Sequence, residues 1–371
     1  MKIVRSLSFV LLAILVAGFV AAPAQAQCFL PPTAPKIQSQ PCIYTTDSVN
    51  NRVVVFSAVD GSFLFSFGST GTLNGQFKAP IGITAAVDGS VIVADSGNSR
   101  IQVFDANGNF IRQFGNSGTG PGKLITPTGV AVDSRFPYQV YVSDFANNRV
   151  AVFNSTGNFL YAFGSTGTGN GQFKGPWGIN VSLTGALFVT DQNNSRVQMF
   201  DTAGNFLAKF GAVGTGPGNL IMPTGITSAI DDRCIDCCND CGAPATAAPQ
   251  APDPDFPILI MVADAANNRV NVYEVSFNFA TNRWTFQFLY KFGSTGTGPG
   301  QLSSPLGLWA VPDFTGEPVG ILVADGNNHR PEIFLADITS AAFELRLGGF
   351  GTGPGQFVTP AGVTVTVQLA P

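Results

Sequence analysis

The sequence predicts an all-β fold assembled from six copies of one four-stranded unit. Three observations carry this. Gly (43), Pro (25) and Phe (32) are abundant in the 371 residues, while charged residues are only 11%. Gly and Pro cut a chain into short segments, and Phe fills a core. Past the first 26 residues no long amphipathic helical pattern is visible, and short β-rich runs lie between turns. Finally, two markers recur six times at fixed offsets, as in a repeat architecture.

The first marker is Phe-Gly, or Leu-Gly, beginning at Phe67, Phe114, Phe163, Phe210, Phe292 and Leu347. Ten residues after each stands an apolar residue: Phe77, Leu124, Phe173, Leu220, Leu302, Phe357. Thirteen residues after each, Pro80, Pro127, Pro176, Pro223, Pro305 or Pro360 opens a Pro-x-Gly. The second marker is Asp-x-x-Asn-x-Arg, at 47–52, 95–100, 144–149, 191–196, 264–269 and 325–330. An aromatic follows each Arg by four: Phe56, Phe104, Phe153, Phe200, Tyr273, Phe334. Runs between the markers, such as VIVAD, RIQVF and NFIRQFG, read as alternating strands of four to six residues. One strand follows Pro-x-Gly, one ends at the Asp, one starts at the Arg and one ends at Phe-Gly. Four antiparallel strands at a basic period of 47–49 residues make a propeller blade.

With its Phe-Gly, Gly-x-Gly-Gln-Phe, Pro-x-Gly and Asp-x-x-Asn-x-Arg elements, the chain resembles the NHL repeat family. The resemblance implies a six-bladed β-propeller. Blades are expected at 80–115, 127–164, 176–211, 223–293 and 305–348. The segment 42–68 holds three strands and no Pro-x-Gly opening, and the segment from Pro360 to Leu369 supplies one strand. Together they are expected to complete a sixth blade and close the ring over residues 42–371, hiding two sheet edges.

The stretch FGSTGTGNGQFKGPWG at 163–178 looks like a phosphate cradle, but no P-loop lysine or helix start follows the glycines. Its recurrence in every unit marks it as the crossover between blades, with glycines supplying positive-φ turns. The six Asp-x-x-Asn-x-Arg turns read the same way. Asp and Asn are expected to bind the turn backbone, with Arg pairing to an Asp.

Residues 1–26 carry Lys2 and Arg5, an apolar run from Phe9 to Val20, then Ala24-Gln25-Ala26. That pattern predicts a signal peptide, export to the periplasm or exterior, and no membrane insertion after its removal. The formal net charge of −4 becomes −6 without Lys2 and Arg5, and no basic run stands out, so nucleic acid is not an expected partner.

Function is sought where the copies differ. Unit four carries an insertion at 231–257, with Cys234, Cys237, Cys238 and Cys241 in its first half and an Ala/Pro-rich second half. In an oxidising compartment disulfides are the leading expectation, with Cys28 and Cys42 as the remaining pair. A zinc or iron–sulfur site on the four thiolates, or free thiols, are the alternatives. The same unit carries a longer hairpin between Tyr273 and Phe292, with Trp284. His329 is the one histidine and sits in a turn. The α-amidating lyases, which resemble the chain in fold, hold a metal on several histidines, and that ligand set has no matching residues here. The signal-peptide pattern is expected to leave no room for a RING domain and the four cysteines lack RING length, so the ligase activity of the tripartite-motif proteins, which also resemble the chain, is not implied. No cofactor is expected. The inner strands offer Thr84, Asn180, Thr227, Trp309 and Thr364, but no ionisable cluster. The x of Pro-x-Gly should sit at the channel mouth, where Ile81, Trp177 and Leu306 are large and apolar. With Phe145 from a neighbouring turn they form a candidate partner-binding patch. The expected function is a monomeric, exported, non-catalytic propeller that presents this rim to a protein or carbohydrate. The alternative is a lyase or hydrolase acting outside the cytoplasm.

Overall fold

The computed structural model describes residues 41–133, 137–182, 184–230, 258–311, 319–336 and 340–366. The signal-peptide segment, Cys28 and the insertion with Cys234, Cys237, Cys238 and Cys241 lie outside them. Cys42 is fully buried and disulfide-bonded.

Six four-stranded antiparallel sheets form the blades. Blade one runs Pro80–Ala85, Val91–Asp95, Arg100–Phe104, Phe110–Phe114. Blades two to five repeat this order from Pro127, Pro176, Pro223 and Pro305. In blade six the inner strand is Pro360–Val365, paired antiparallel to Cys42–Asp47, which is followed by Arg52–Ser57 and Phe63–Phe67. Thus the ring closes with one strand from late in the chain and three from early in it. Blade four has the long outer hairpin, Arg269–Asn278 against Arg283–Phe292. Among the described residues the only helical pieces are three-residue 3-10 turns, each inside an Asp-x-x-Asn-x-Arg marker.

The core consists of six apolar clusters, each filled from two adjacent blades. Ile92, Ile101 and Val103 of blade one, for example, pack with Val140, Val142 and Phe153 of blade two. A blade is therefore covered on both faces. Its middle strands are buried throughout, as in Val91–Asp95 and Arg100–Phe104, and do not alternate as the sequence reading expects. Only the outermost strands alternate, as in Phe110–Phe114. A strand sandwiched on both faces gains from an unbroken apolar run.

The crossover loops anchor through the expected apolar residues. Phe77, Leu124, Phe173, Leu220, Leu302 and Phe357 are all fully buried. Each closes over the glycine of the preceding Phe-Gly. Gly164 has φ +95°, and a Cβ there would lie 2.5 Å from the Phe173 ring. Glycine answers both demands, a left-handed backbone and a ring on its bare face.

Candidate functional site

Pro80 pairs with Asp95, and each other inner-strand proline pairs with its Asp, so both markers emerge on one rim. There the Asp-x-x-Asn-x-Arg residues are consumed by architecture. In blade one, Asp95 Oδ1 accepts the Lys78 amide, and its Oδ2 accepts from Asn98 and from Arg100 Nε at 2.7 Å. Asn98 also reaches the Gly71 carbonyl. Arg100 then donates to the carbonyls of Thr72, Leu73 and Gln76. Arg196 does the same with Thr168, Gly169 and Gln172. The glycine-rich loop thus turns its carbonyls onto an arginine of the next blade. It holds a cation of its own chain, in keeping with the architectural role expected for the loop.

Five of the six arginines have Nε on the marker Asp: Arg52, Arg100, Arg149, Arg196 and Arg269. Blade five departs. Arg330 Nε lies on Glu332, at 2.8 Å, and Arg346 approaches the same carboxylate at 3.6 Å. Glu332 stands two residues after the Arg, where Gln102 and Gln198 donate to their Asp in blades one and three. Burial pushes the carboxyl of Asp325 up to about 6, and the Glu332 charge adds to it against the Ser303 amide and Asn328. Burial also pushes Glu332 up, opposed by the charge and hydrogen bond of Arg330.

His329 stands at the left-handed position closing the same turn, φ 60°, half-buried, with Nδ1 on the Val358 carbonyl. Asn51, Asn148 and Asn268, at this position in other blades, donate to Thr70, Thr166 and Thr295. Blade five substitutes both members: the His329 ring packs on Phe350, centroids 4.7 Å apart. Among the described residues no three of His, Cys, Asp and Glu converge as metal ligands would.

At the axis, the glycines of Pro-x-Gly form a closed ring. A Cβ at Gly82 would lie 2.3 Å from the Thr128 carbonyl oxygen, and one at Gly129 2.4 Å from that of Trp177. The contact passes around through Gly178, Gly225, Gly307 and Gly362, which meets Ile81. Inner strands therefore run backbone against backbone here, and the bore at this level holds only about 60 Å³. The x positions line its mouth and alternate in size. Thr128, Thr224 and Ala361 are buried. Thr128 and Thr224 donate to carbonyls of the next blade. Ile81, Trp177 and Leu306, in blades one, three and five, are half-buried and line the same mouth. Phe145 meets Trp177 edge to face, centroids 5.7 Å apart. The structure thus brings Phe145 and Trp177 into contact and sets Ile81 and Leu306 at two other points of the mouth.

Sequence reasoning missed apolar residues farther out in the glycine-rich loops. Leu73 (70%), Val213 (73%) and Phe350 (68%) are the most exposed of them. Val213 and Phe350 occupy the threonine position of the loop repeat, which was the available signal.

An NHL repeat model matches residues 77–104. No curated protein matches the chain in sequence. Among solved structures, a chain of a nidogen–laminin complex superposes with a TM-score of 0.55 at 14% identity, covering 90% of this chain and 100% of that one. A protein of unknown function from Bacteroides caccae gives 0.53 at 11% identity, covering 88% and 99%. A streptogramin B lyase gives 0.44 at 14%, covering 71% and 68%, too low for any argument from likeness. The match at residues 77–104 identifies an NHL repeat in blade one, and the ring of six four-stranded sheets, with its structural neighbours, makes the fold a six-bladed β-propeller.

Proposed function

We propose that the chain is a non-catalytic binding propeller working outside the cytoplasm, and that it presents the Pro-x-Gly rim to a protein partner. The observation that carries this is the Phe145–Trp177 pair, half-buried at the mouth, with Ile81 and Leu306 on the same opening. Thr and Ala close the equivalent turns elsewhere, so the large groups are not demanded by the fold. Aromatic side chains held at low entropic cost are the usual anchors of a binding surface. The glycine ring behind them leaves too little room for a substrate to enter from this side. The polar rim residues are committed to the chain's own loops, which leaves apolar contact as the rim's main offering. The chain's cysteines belong to the same reading: in an exported protein they would be paired.

The test is capture of a partner from the native envelope by the oxidised protein, compared with a Trp177→Ala, Phe145→Ala double variant. A partner held by the wild type and weakened about tenfold or more by the variant, at unchanged melting temperature, supports the reading. Equal capture by both refutes it.

A further inference from the structure

The rim is uneven in charge. Its crossover loops, 68–79, 115–126, 164–175, 211–222, 293–304 and 348–359, and its marker turns all fall within the described residues. Lys78, Lys123 and Lys174 stand in the first three of these loops, and all three are exposed. The other three loops carry no charged residue. The cations thus occupy consecutive loops, those leading into blades one, two and three.

The rim's own carboxylates do not offset them. Neither the crossover loops nor the turns between marker Asp and marker Arg contain Asp or Glu. The marker aspartates themselves are fully buried. They accept loop amides, as Asp95 does from Lys78 and Asp191 from Lys174, and in five blades an arginine as well. Accessible carboxylates stand at the opposite end of the blades. Asp60 and Asp88 are exposed there, and Asp105 and Asp201 are half-buried. A chain of formal net charge −4 therefore sets a positive arc on one face.

The arc coincides with the aromatic pair. A Cβ at Gly175 would lie 2.6 Å from the Phe145 ring, so Phe145 covers the backbone beside Lys174. Trp177, which Phe145 meets edge to face, follows two residues later.

We propose, building on the protein-partner reading above, that the partner presents an acidic segment to this arc. Its carboxylates meet Lys78, Lys123 and Lys174, and an apolar side chain packs on Phe145 and Trp177. Opposite charges steer the encounter and fix its register, while a packed aromatic anchor supplies affinity. Cations confined to half the circle suit a linear partner. A flat bilayer would meet all six loops, and three of them offer it no cation. A peptide also brings apolar side chains for the ring pair, which a polyuronate does not.

The experiment measures fluorescence anisotropy of a labelled peptide of repeated Asp-Glu-Tyr units against the folded, full-length protein. A neutral Asn-Gln-Tyr peptide, polygalacturonate and phosphatidylglycerol vesicles are the comparisons. The acidic peptide should bind saturably at about 50 mM salt and more weakly at about 300 mM. Lys78→Gln, Lys123→Gln and Lys174→Gln combined should weaken it about tenfold or more, at an unchanged melting temperature. Trp177→Ala should weaken it too. Arg283→Gln, at the far end of blade four, should leave it unchanged. Absence of saturable binding, equal binding of the neutral peptide, indifference to the lysine variant, or tighter binding of polygalacturonate or vesicles overturns the proposal. The lysine variant also enters the envelope capture. Capture lost with Trp177→Ala, Phe145→Ala but kept with the lysine variant refutes the acidic segment and leaves the rim reading standing.

Discussion

Replacing Glu332 with Gln restores in blade five the residue that blades one and three already use. In blade one Gln102 donates to Asp95 and leaves Arg100 Nε on Asp95 at 2.7 Å. With Gln at 332, Arg330 should return to Asp325 and hold its carboxylate charged. The wild-type carboxyl of Asp325 is raised from 3.8 to about 6. A group raised in the folded state contributes stability that is full below its unfolded value and is lost as pH rises through the folded one. The interval from 3.8 to about 6, at about 1.4 kcal/mol per pH unit, comes to about 3 kcal/mol. Glu332, also raised, acts in the same direction. The wild type should therefore lose stability between about pH 4 and pH 7 relative to Glu332→Gln. Urea unfolding at pH 5, 6, 7 and 8 reads this directly. Over that range the stability gap, variant minus wild type, should widen with rising pH by about 1.4 kcal/mol from Asp325 and level off above pH 7, the rest of the interval lying below pH 5. Arg346 loses a charged neighbour at 3.6 Å, which lowers the variant's curve without changing its slope. A gap independent of pH, or one that widens toward acid, would refute the assignment of strain to the Asp325–Glu332 pair.

Three further outcomes are expected. Removing residues 359–371 strips the inner strand from blade six and exposes the Cys42–Asp47 edge; the product should aggregate, and a melting curve like that of the full-length protein would disprove closure. Gly164→Ala forces a side chain into φ +95° and against the Phe173 ring. Its cost should be about 2–5 kcal/mol by denaturant unfolding; a loss under about 0.5 kcal/mol would show that the loop adapts. Arg196→Lys gives up the forked contact with Asp191 and the carbonyls of Thr168, Gly169 and Gln172. A loss of about 3–5 kcal/mol is expected, and a neutral result would mean the loop keeps its shape without the fork.

The markers were legible because each answers a backbone requirement that a short stretch of sequence expresses fully. Pro80, Asp95 and Arg100 register one blade, and their recurrence registers the others. Burial was less legible. VIVAD reads as half-exposed by strand rules, yet Val91–Asp95 is buried on both faces, because the second cover comes from a different blade. The paired substitutions in blade five were present in the repeat alignment, as Glu332 beside Gln102 and as His329 with Phe350 beside Asn51 with Thr70. They gain meaning only once Arg330 is seen on Glu332, and the His329 ring on Phe350. Asn180, Thr227 and Trp309 were identified as polar positions facing the axis. The cavity they line depends on how three separate inner strands stand beside one another, which no one segment encodes.

The closing strand also sets a timetable. The hydroxyl of Thr46 accepts from the amide of Gly362, 316 residues later in the chain. On a ribosome working at about 5–20 residues per second, residue 47 waits roughly 15–65 s for its partner strand to be made. For that interval Cys42–Asp47 has one open edge, and the other five blades stand as an arc with two ends. Final assembly therefore waits until Pro360–Val365 has been made, and any factor that shields an unpaired strand edge has Cys42–Asp47 to protect until then.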